Sequence, residues 1–268
     1  MLKKGKDMVT EKKPLSFYFF DVDDNIVFLS TPIYVLNVET GKEKKVSTGE
    51  FARIHPFLEQ PGRWEDFRVY EKTFREFRDI PAAELEDGQE QYFVRDIKKQ
   101  ISDRSNSWQA PSWNLFVHAC NAQRPLSFVT ARGHHPDTIK AGVEAIQQAG
   151  FIEKTPNYLS VFPVGNDEVR KQELDDPNLM KTTPRLKKTA IIKSIEKAIE
   201  EYGDEYEVQF GMSDDDPANV NLIISAMRDC KLKYPERRFF VINTHYAPGD
   251  SIDQRVKLEV FEYDQRVD

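Results

Sequence analysis

A Rossmann-like α/β fold, in which a parallel sheet lies between two layers of helices, is the architecture that the sequence predicts. Short apolar runs alternate with helix-patterned segments after residue 120, as expected of β-α-β units. The 268 residues suit one large domain, or a core with a smaller insert. The composition, 39% hydrophobic and 31% charged, is that of a globular chain.

The predicted strands of this sheet are short and apolar. The first covers residues 15–20, and the others cover residues 126–130, 158–164, 207–213 and 238–244, with an edge strand near 258–263. Between them, apolar residues recur at helical spacing. One such helix opens at Pro136 and closes at Gly150, because proline favours the first turn of a helix and glycine the position after its end.

Residues 31–122 interrupt this alternation. Residues 33–48 read as a β-hairpin, and the spacing of Phe67, Tyr70, Phe74 and Phe77 predicts a helix. Two further helices are predicted around Ile97 and after Pro111. We therefore divide the chain into a tail at 1–13, a catalytic core at 14–30 and 123–268, and a cap inserted between the two core segments at 31–122.

Composition also limits the class of protein. No apolar run is long enough to span a bilayer, and the Lys-rich start lacks the apolar stretch of a secretory signal. The two cysteines fit reduced thiols in the cytoplasm. The formal charge of −7 argues against a protein that binds nucleic acid by bulk electrostatics. We find neither a GxGxxG nor a P-loop motif.

Three polar clusters follow predicted strands. They are DVDD at 21–24, TARG at 130–133 and SDDD at 213–216, and the basic stretch RLKK at 185–188 opens a predicted helix between the last two. Because ligands of parallel sheets bind beyond the carboxyl ends of the strands, these clusters predict a site at that edge.

In this order, the clusters resemble the motifs of the haloacid dehalogenase superfamily, whose members are mostly phosphatases and phosphotransferases. Asp21-Val22-Asp23 is similar to the first motif of the superfamily, and Thr130 to the second. Lys187 and Lys188 both qualify as the third, and Asp214-Asp215 resembles the acidic pair of the fourth. The superfamily often has Thr or Val where this chain has Asn25.

The resemblance implies a role for each motif. Asp21 would attack phosphorus to form an aspartyl-phosphate, and Asp23 would act as the general acid and base. Thr130 would bind the transferring phosphoryl group, and Lys187 or Lys188 would offset its charge. The implied cofactor is Mg²⁺, and the ligands implied for it are the side chains of Asp21 and Asp214 and the main-chain carbonyl of Asp23, with Asp215 as a further ligand, direct or through water.

Some assignments stay open at this point. Arg132 could contact substrate or pair with a cap carboxylate, and of His134 and His135 one is expected to cap a helix and the other to be exposed. The leading hypothesis is a Mg²⁺-dependent phosphatase that acts on a small phosphorylated substrate in the cytoplasm. A nucleic-acid 3′-phosphate end is a less favoured substrate. The alternatives are a phosphotransferase and a non-catalytic module that binds a phosphorylated ligand.

Overall fold

The fold is α/β, and its main element is a six-stranded sheet. The computed structural model of the chain describes residues 12–244 and 256–261. The strand order is β6-β5-β1-β7-β8-β9, and every pair is parallel except β8 with β9. The strands are β1 (Lys13–Phe20), β5 (Pro125–Thr130), β6 (Asn157–Pro163), β7 (Tyr206–Asp214), β8 (Arg238–Asn243) and β9 (Val256–Glu259).

Strand β1 lies inside this sheet, between β5 and β7. Phe20, its last residue, pairs with Phe128 of β5 and with Ser213 of β7. Its phenylalanines are buried on both faces, as in strands covered by helices on two sides. The polar residues that follow β1, β5 and β7 are therefore brought to one edge of the sheet, as the sequence predicts.

Helices cover both faces of the sheet. On one face, α6 (Thr183–Tyr202) and α7 (Pro217–Lys233) pack against Phe17, Phe19 and Phe210. On the other, α3 (Trp113–Asn121) and α4 (Pro136–Gln148) pack around Phe20 and Phe128. The short helix α5 (Asp167–Gln172) follows β6. This arrangement is compatible with a Rossmann-like three-layer fold.

The insert at 31–122 has two parts that pack differently. Its first part contains the predicted hairpin, β2 (Ile33–Asn37) and β3 (Glu43–Val46), together with the helix α1 (Thr48–Ile54) and the two-residue strand β4 (Phe67–Arg68). These elements enclose a small apolar cluster of their own. The second part, α2 (Tyr92–Ile101) and α3, shares the apolar cluster of the sheet. A Cβ at Gly142 of α4 would lie only 2.3 Å from the Phe93 ring, so α2 approaches α4 closely.

The helix predicted over Phe67 to Phe77 is wrong. Phe67 belongs to β4, and residues 75–77 form one turn of 3₁₀-helix. The backbone between them does not form helical hydrogen bonds throughout, because the Thr73 carbonyl accepts a hydrogen bond from the Tyr34 amide of β2. Of the four aromatic residues, Phe67 and Phe77 pack against the apolar cluster of the small sheet.

The ends of the chain qualify two other predictions. Lys13, placed in the tail, is the first residue of β1. Residues 1–11, which make up the rest of the predicted tail apart from Lys12, lie outside the described residues, as does the end of the edge strand expected near 258–263. Among the helices of residues 12–244 and 256–261, none combines the length and the apolar character that crossing a membrane requires.

Candidate active site at the carboxyl edge of the sheet

A lysine and three carboxylates meet where β1 and β7 end. Lys187 Nζ lies 3.2 Å from Asp21 Oδ1 and 3.4 Å from Asp214 Oδ2. Asp215 completes the group, since carboxylate oxygens of Asp21, Asp214 and Asp215 lie within 4.8 Å of one another. Four residues from three distant parts of the sequence thus form one acidic cluster around one cation.

Helix α6 decides which lysine reaches this cluster. Its buried stripe runs through Lys187, Ile191 and Ile195, four residues apart, so Lys187 points toward the sheet and is only 3% exposed. Lys188, about 100° further round the helix, lies 2.7 Å from Asp229 Oδ2 of α7 instead. The structure therefore brings Lys187 to the acidic cluster and does not bring Lys188 there.

The electrostatics of the cluster show an excess of negative charge. Burial raises the pKa of Asp21, Lys187 lowers it and the other carboxylates raise it again, so that it ends well above its ordinary value. Burial and the charge of Asp214 raise the pKa of Asp215 to about 7. For Lys187, burial lowers the pKa, but Asp21 and Asp214 more than offset this, so the pKa is raised and the lysine stays charged.

Asp214 is held from the side opposite Lys187. Its Oδ1 accepts hydrogen bonds from Asn219 Nδ2 and from the Asp216 amide, both at 3.1 Å, while Oδ2 faces the lysine. Asp216 itself caps α7 by accepting from the Ala218 amide. Asp216 thus lies at the start of this helix, and Asn219 in its first turn contacts Asp214, the first residue of the acidic pair.

Asn25 joins the loop after β1 to its neighbours. Its side-chain amide donates to the main-chain carbonyls of Asp21 and Ser213, each at 3.1 Å, and to Ser213 Oγ at 2.9 Å. Its Oδ1 accepts from the hydroxyls of Ser112 and Thr244. Asn25 is fully buried, and it ties the main chain of Asp21 to β7, to the end of β8 and to the insert. At the position where the resemblance is weakest, the chain thus has a residue that supports the loop.

Asp23 pairs with Arg132 on the other side of the loop. Arg132 Nε donates to Oδ2 at 2.8 Å and Nη2 donates to Oδ1 at 2.7 Å, a two-point contact that fixes the plane of the carboxylate. Thr130, at the end of β5, accepts a hydrogen bond from the Arg132 amide at 3.3 Å. The partner of Arg132 is thus the carboxylate of Asp23 itself.

Asp24 has a strained position in the same loop. Its φ of 56° is left-handed, a conformation that Asp and Asn adopt more readily than most residues. Its Oδ2 accepts from Thr48 of α1 at 3.2 Å. Burial and the neighbouring Asp23 raise the pKa of Asp24 to about 6.

Several polar residues of the site were missed in the sequence. One of the two histidines, His135, caps α4 as expected, but the other, His134, is fully buried against Arg132 and Asp79 rather than exposed. Thr31, Asp96, Ser112 and Thr244 also contribute, as buried side chains that contact Arg132, Asn25 or each other. These residues lie far apart in the sequence and form no motif, so only the fold reveals them.

Comparison with known proteins adds no further assignment. No family model, no curated protein and no solved structure matched the chain.

Proposed function

We propose that this protein is a Mg²⁺-dependent phosphatase that hydrolyses a phosphate monoester through an aspartyl-phosphate on Asp21. The observation that carries the proposal is the position of Lys187 between the carboxylates of Asp21 and Asp214, with Asp215 beside them. The resemblance to the haloacid dehalogenase superfamily, stated above from sequence alone, requires this combination of residues at the carboxyl edge of a parallel sheet.

The residues present fit a hard divalent cation. The carboxylates of Asp21, Asp214 and Asp215 offer oxygen ligands close together, and Mg²⁺ prefers oxygen ligands. Burial, together with a charge of three carboxylates that one lysine does not balance, raises the pKa values of Asp21 and Asp215. The resemblance adds the main-chain carbonyl of Asp23 to this set. When bound, Mg²⁺ would neutralise charge between the nucleophile and the phosphate.

The side chains of the chain would carry out the remaining steps. A carboxylate oxygen of Asp21 attacks phosphorus, and the bond from phosphorus to the ester oxygen breaks. Asp23 gives a proton to that leaving oxygen, then takes one from the water that hydrolyses the aspartyl-phosphate. Lys187 and Thr130 stabilise charge on the transferring group. Asp23 is suited to its role because its side chain is 20% exposed, unlike those of Asp214 and Lys187.

The substrate class follows from the charge and from the resemblance. We propose a small phosphorylated substrate in the cytoplasm, with recognition by the cap at 31–122. A nucleic-acid 3′-phosphate end remains the less favoured proposal, because the chain carries a net charge of −7.

Hydrolysis of p-nitrophenyl phosphate tests the proposal. We expect phosphate release that requires Mg²⁺, stops with EDTA and falls about 10⁴-fold or more in Asp21→Asn. Asp216→Asn is the matched control, since it makes the same change at an exposed helix cap, where Asn also caps well. Turnover that persists in Asp21→Asn with excess EDTA would overturn the proposal.

The alternatives predict other outcomes of the same experiment. Transfer of the phosphoryl group to an added alcohol rather than to water would indicate a phosphotransferase. Binding of phosphate esters without any turnover would indicate a ligand-binding module.

A further inference from the structure

Arg132 is an unusual arginine because it is almost completely buried. It is 1% exposed, and four of its five N–H groups have partners. Two of these N–H groups bind Asp23, one binds Thr31 Oγ1 at 2.9 Å, and one binds His134 Nε2 at 3.2 Å. To bind a substrate with two N–H groups, this guanidinium would have to break at least one of its present hydrogen bonds.

The insert forms most of the wall around this guanidinium. Its carbon lies 4.7 Å from the centre of the Phe77 ring and 5.0 Å from that of Phe93, close enough for cation–π attraction to both. Thr31 accepts from Arg132 and donates to Asp96 Oδ2 at 2.7 Å. Three separate parts of the insert therefore hold Arg132, although Arg132 itself follows β5 of the core.

His134 completes the surroundings from the core side. A guanidinium has no acceptor, so Nε2 of His134 must accept, and its Nδ1–H donates to Asp79 Oδ1 at 2.9 Å. Asp79 is fixed in turn by the His135 amide and the Thr138 hydroxyl at the start of α4. Both ring nitrogens of His134 therefore have partners, which fixes the orientation of the ring. Arg132 is thus contacted by the insert and by His134 of the core.

We infer that Arg132 is a positioning residue that aims Asp23 for proton transfer, and that the insert takes part in the chemistry by holding Arg132. This inference rests on the proposed phosphatase function. Each carboxylate oxygen of Asp23 gives one lone pair to Arg132 and keeps another for a proton. The carboxyl group gives its proton to the leaving oxygen as the phosphorus–oxygen bond breaks, and regains one from water in the second step.

A proton donor matters most when the leaving group is poor. An alkyl alcohol needs a proton to depart, whereas p-nitrophenolate departs without one. If Arg132 acts through Asp23, its loss should slow formation of the aspartyl-phosphate strongly with an alkyl phosphate and weakly with an aryl phosphate. Hydrolysis of that shared intermediate should slow equally for both esters. If Arg132 instead bound the phosphoryl group, both esters would suffer equally. The two roles are therefore distinguishable by the leaving group.

The test compares kcat/KM, which reports the steps up to formation of the aspartyl-phosphate, for p-nitrophenyl phosphate and for glycerol 2-phosphate. We expect Arg132→Gln to lose about 10²-fold or more in kcat/KM on the alkyl ester and less than about 10-fold on the aryl ester. Asp23→Asn should show the same pattern. The variant that combines Arg132→Gln with Asp23→Asn should have a kcat/KM on the alkyl ester within about two-fold of the less active single variant. The losses do not multiply, because both substitutions remove the same function.

A milder pair of variants covers the case in which Arg132→Gln fails to fold. Thr31→Val removes one acceptor of the guanidinium at nearly constant volume, and should cause a loss of about 10-fold confined to the alkyl ester. Thr31→Ser restores the hydroxyl and should recover most of that loss. Arg170→Gln is the control for losing an ion-paired arginine, since the half-buried Arg170 pairs with Asp176 at 2.7 Å away from the acidic cluster. It should lower stability without changing the ratio of the two esters.

The outcomes separate the two proposals. Equal losses of kcat/KM on both esters in Arg132→Gln, multiplied in the double variant, would overturn the role of Arg132 and leave the phosphatase intact. If the wild-type protein turns over neither ester, the proposed phosphatase function is overturned, and the role of Arg132 with it. A loss in Thr31→Val that Thr31→Ser does not restore would overturn the part assigned to the insert.

Discussion

Asp21 and Asp23 lie two residues apart in one loop, yet they face different parts of the protein. Asp21 meets Lys187 of α6 and Asp214 of β7, all within the sheet and its helices. Asp23 meets Arg132, which the insert encloses. Residues two positions apart in an extended strand would lie on the same face, so it is the turn of the loop after β1 that directs one carboxylate toward the core and the other toward the insert.

The difference between the two cations has consequences for the carboxylates. A lysine ammonium acts as a point charge, so Asp21 keeps oxygen lone pairs for other partners. An arginine fork binds both oxygens and fixes their plane, so Asp23 is oriented more strictly. The charge of Lys187 therefore stabilises Asp21, the proposed nucleophile, without fixing the plane of its carboxylate. The two hydrogen bonds from Arg132 fix that plane for Asp23, the proposed acid.

The largest effect that sharpens this comparison is expected at Lys187. Lys187→Met should lower phosphatase activity by about 10²–10³-fold, because it removes the cation that faces both Asp21 and Asp214. Lys188→Met makes the same change one residue on, where the ammonium contacts Asp229, and should stay within about two-fold of wild type. Similar losses in both variants would contradict the assignment of Lys187 to the site.

Much of the fold and of the Asp21 side follows from the sequence. The apolar runs gave the strands, and parallel strands bring their ends to one edge, so the acidic clusters were predictable together. Even the choice of lysine was present in the pattern, since Lys187 lies four residues before Ile191, on the stripe that continues to Ile195. Periodicity works here because the helix is regular.

The Asp23 side could not be predicted in this way. Arg132, Thr31 and His134 meet through turns and through an insert that packs partly on its own small sheet. The aromatics of residues 67–77 have helical spacing but lie in a strand and turns, so periodicity was misleading. Adjacent His134 and His135 differ in exposure, because α4 begins just after them with His135 as its exposed cap, whereas His134 is buried against Arg132 and Asp79.

A smaller effect is expected in the stability of the metal-free protein. The pKa of Asp215 is raised from 3.8 to about 7, so between these pH values the folded state binds more protons than the unfolded state. Asp215 therefore costs increasing stability as pH rises through this range. In EDTA at pH 8, Asp215→Asn should be more stable than wild type by about 1–2 kcal/mol in urea unfolding.

Two controls belong to this prediction. The advantage of Asp215→Asn should shrink toward pH 4.5, where the wild-type carboxyl group is protonated in the folded state. Asp216→Asn should differ from wild type by no more than about 0.5 kcal/mol, as its side chain is an exposed cap. A metal-free Asp215→Asn that is less stable than wild type at pH 8 would show that the cluster is not under charge repulsion.

The smallest expected effect is a pH dependence of stability that comes from His134, the histidine that contacts Arg132. Burial and the charge of Arg132 lower the pKa of His134 below its ordinary 6.5, although Asp79 opposes this. The unfolded state then binds more protons below pH 6.5, so the stability from neutral His134 is present above 6.5 and is lost as pH falls. One histidine contributes at most about 1.4 kcal/mol per pH unit to this slope.

Comparison of wild type with His134→Gln isolates this histidine from the carboxylates that also titrate. Gln keeps an acceptor for Arg132 but cannot be protonated, so the wild-type advantage in urea unfolding should shrink by about 1 kcal/mol between pH 7.5 and pH 5.5. His135→Gln, at the exposed neighbour, is the control for the replacement itself. An advantage that is equal at both pH values would mean that His134 is free to accept a proton in the folded state. The contacts of His134 with Arg132 and Asp79 would then constrain Arg132 less than their hydrogen-bond distances indicate. The orientation of Asp23, which depends on Arg132, would be less fixed as well.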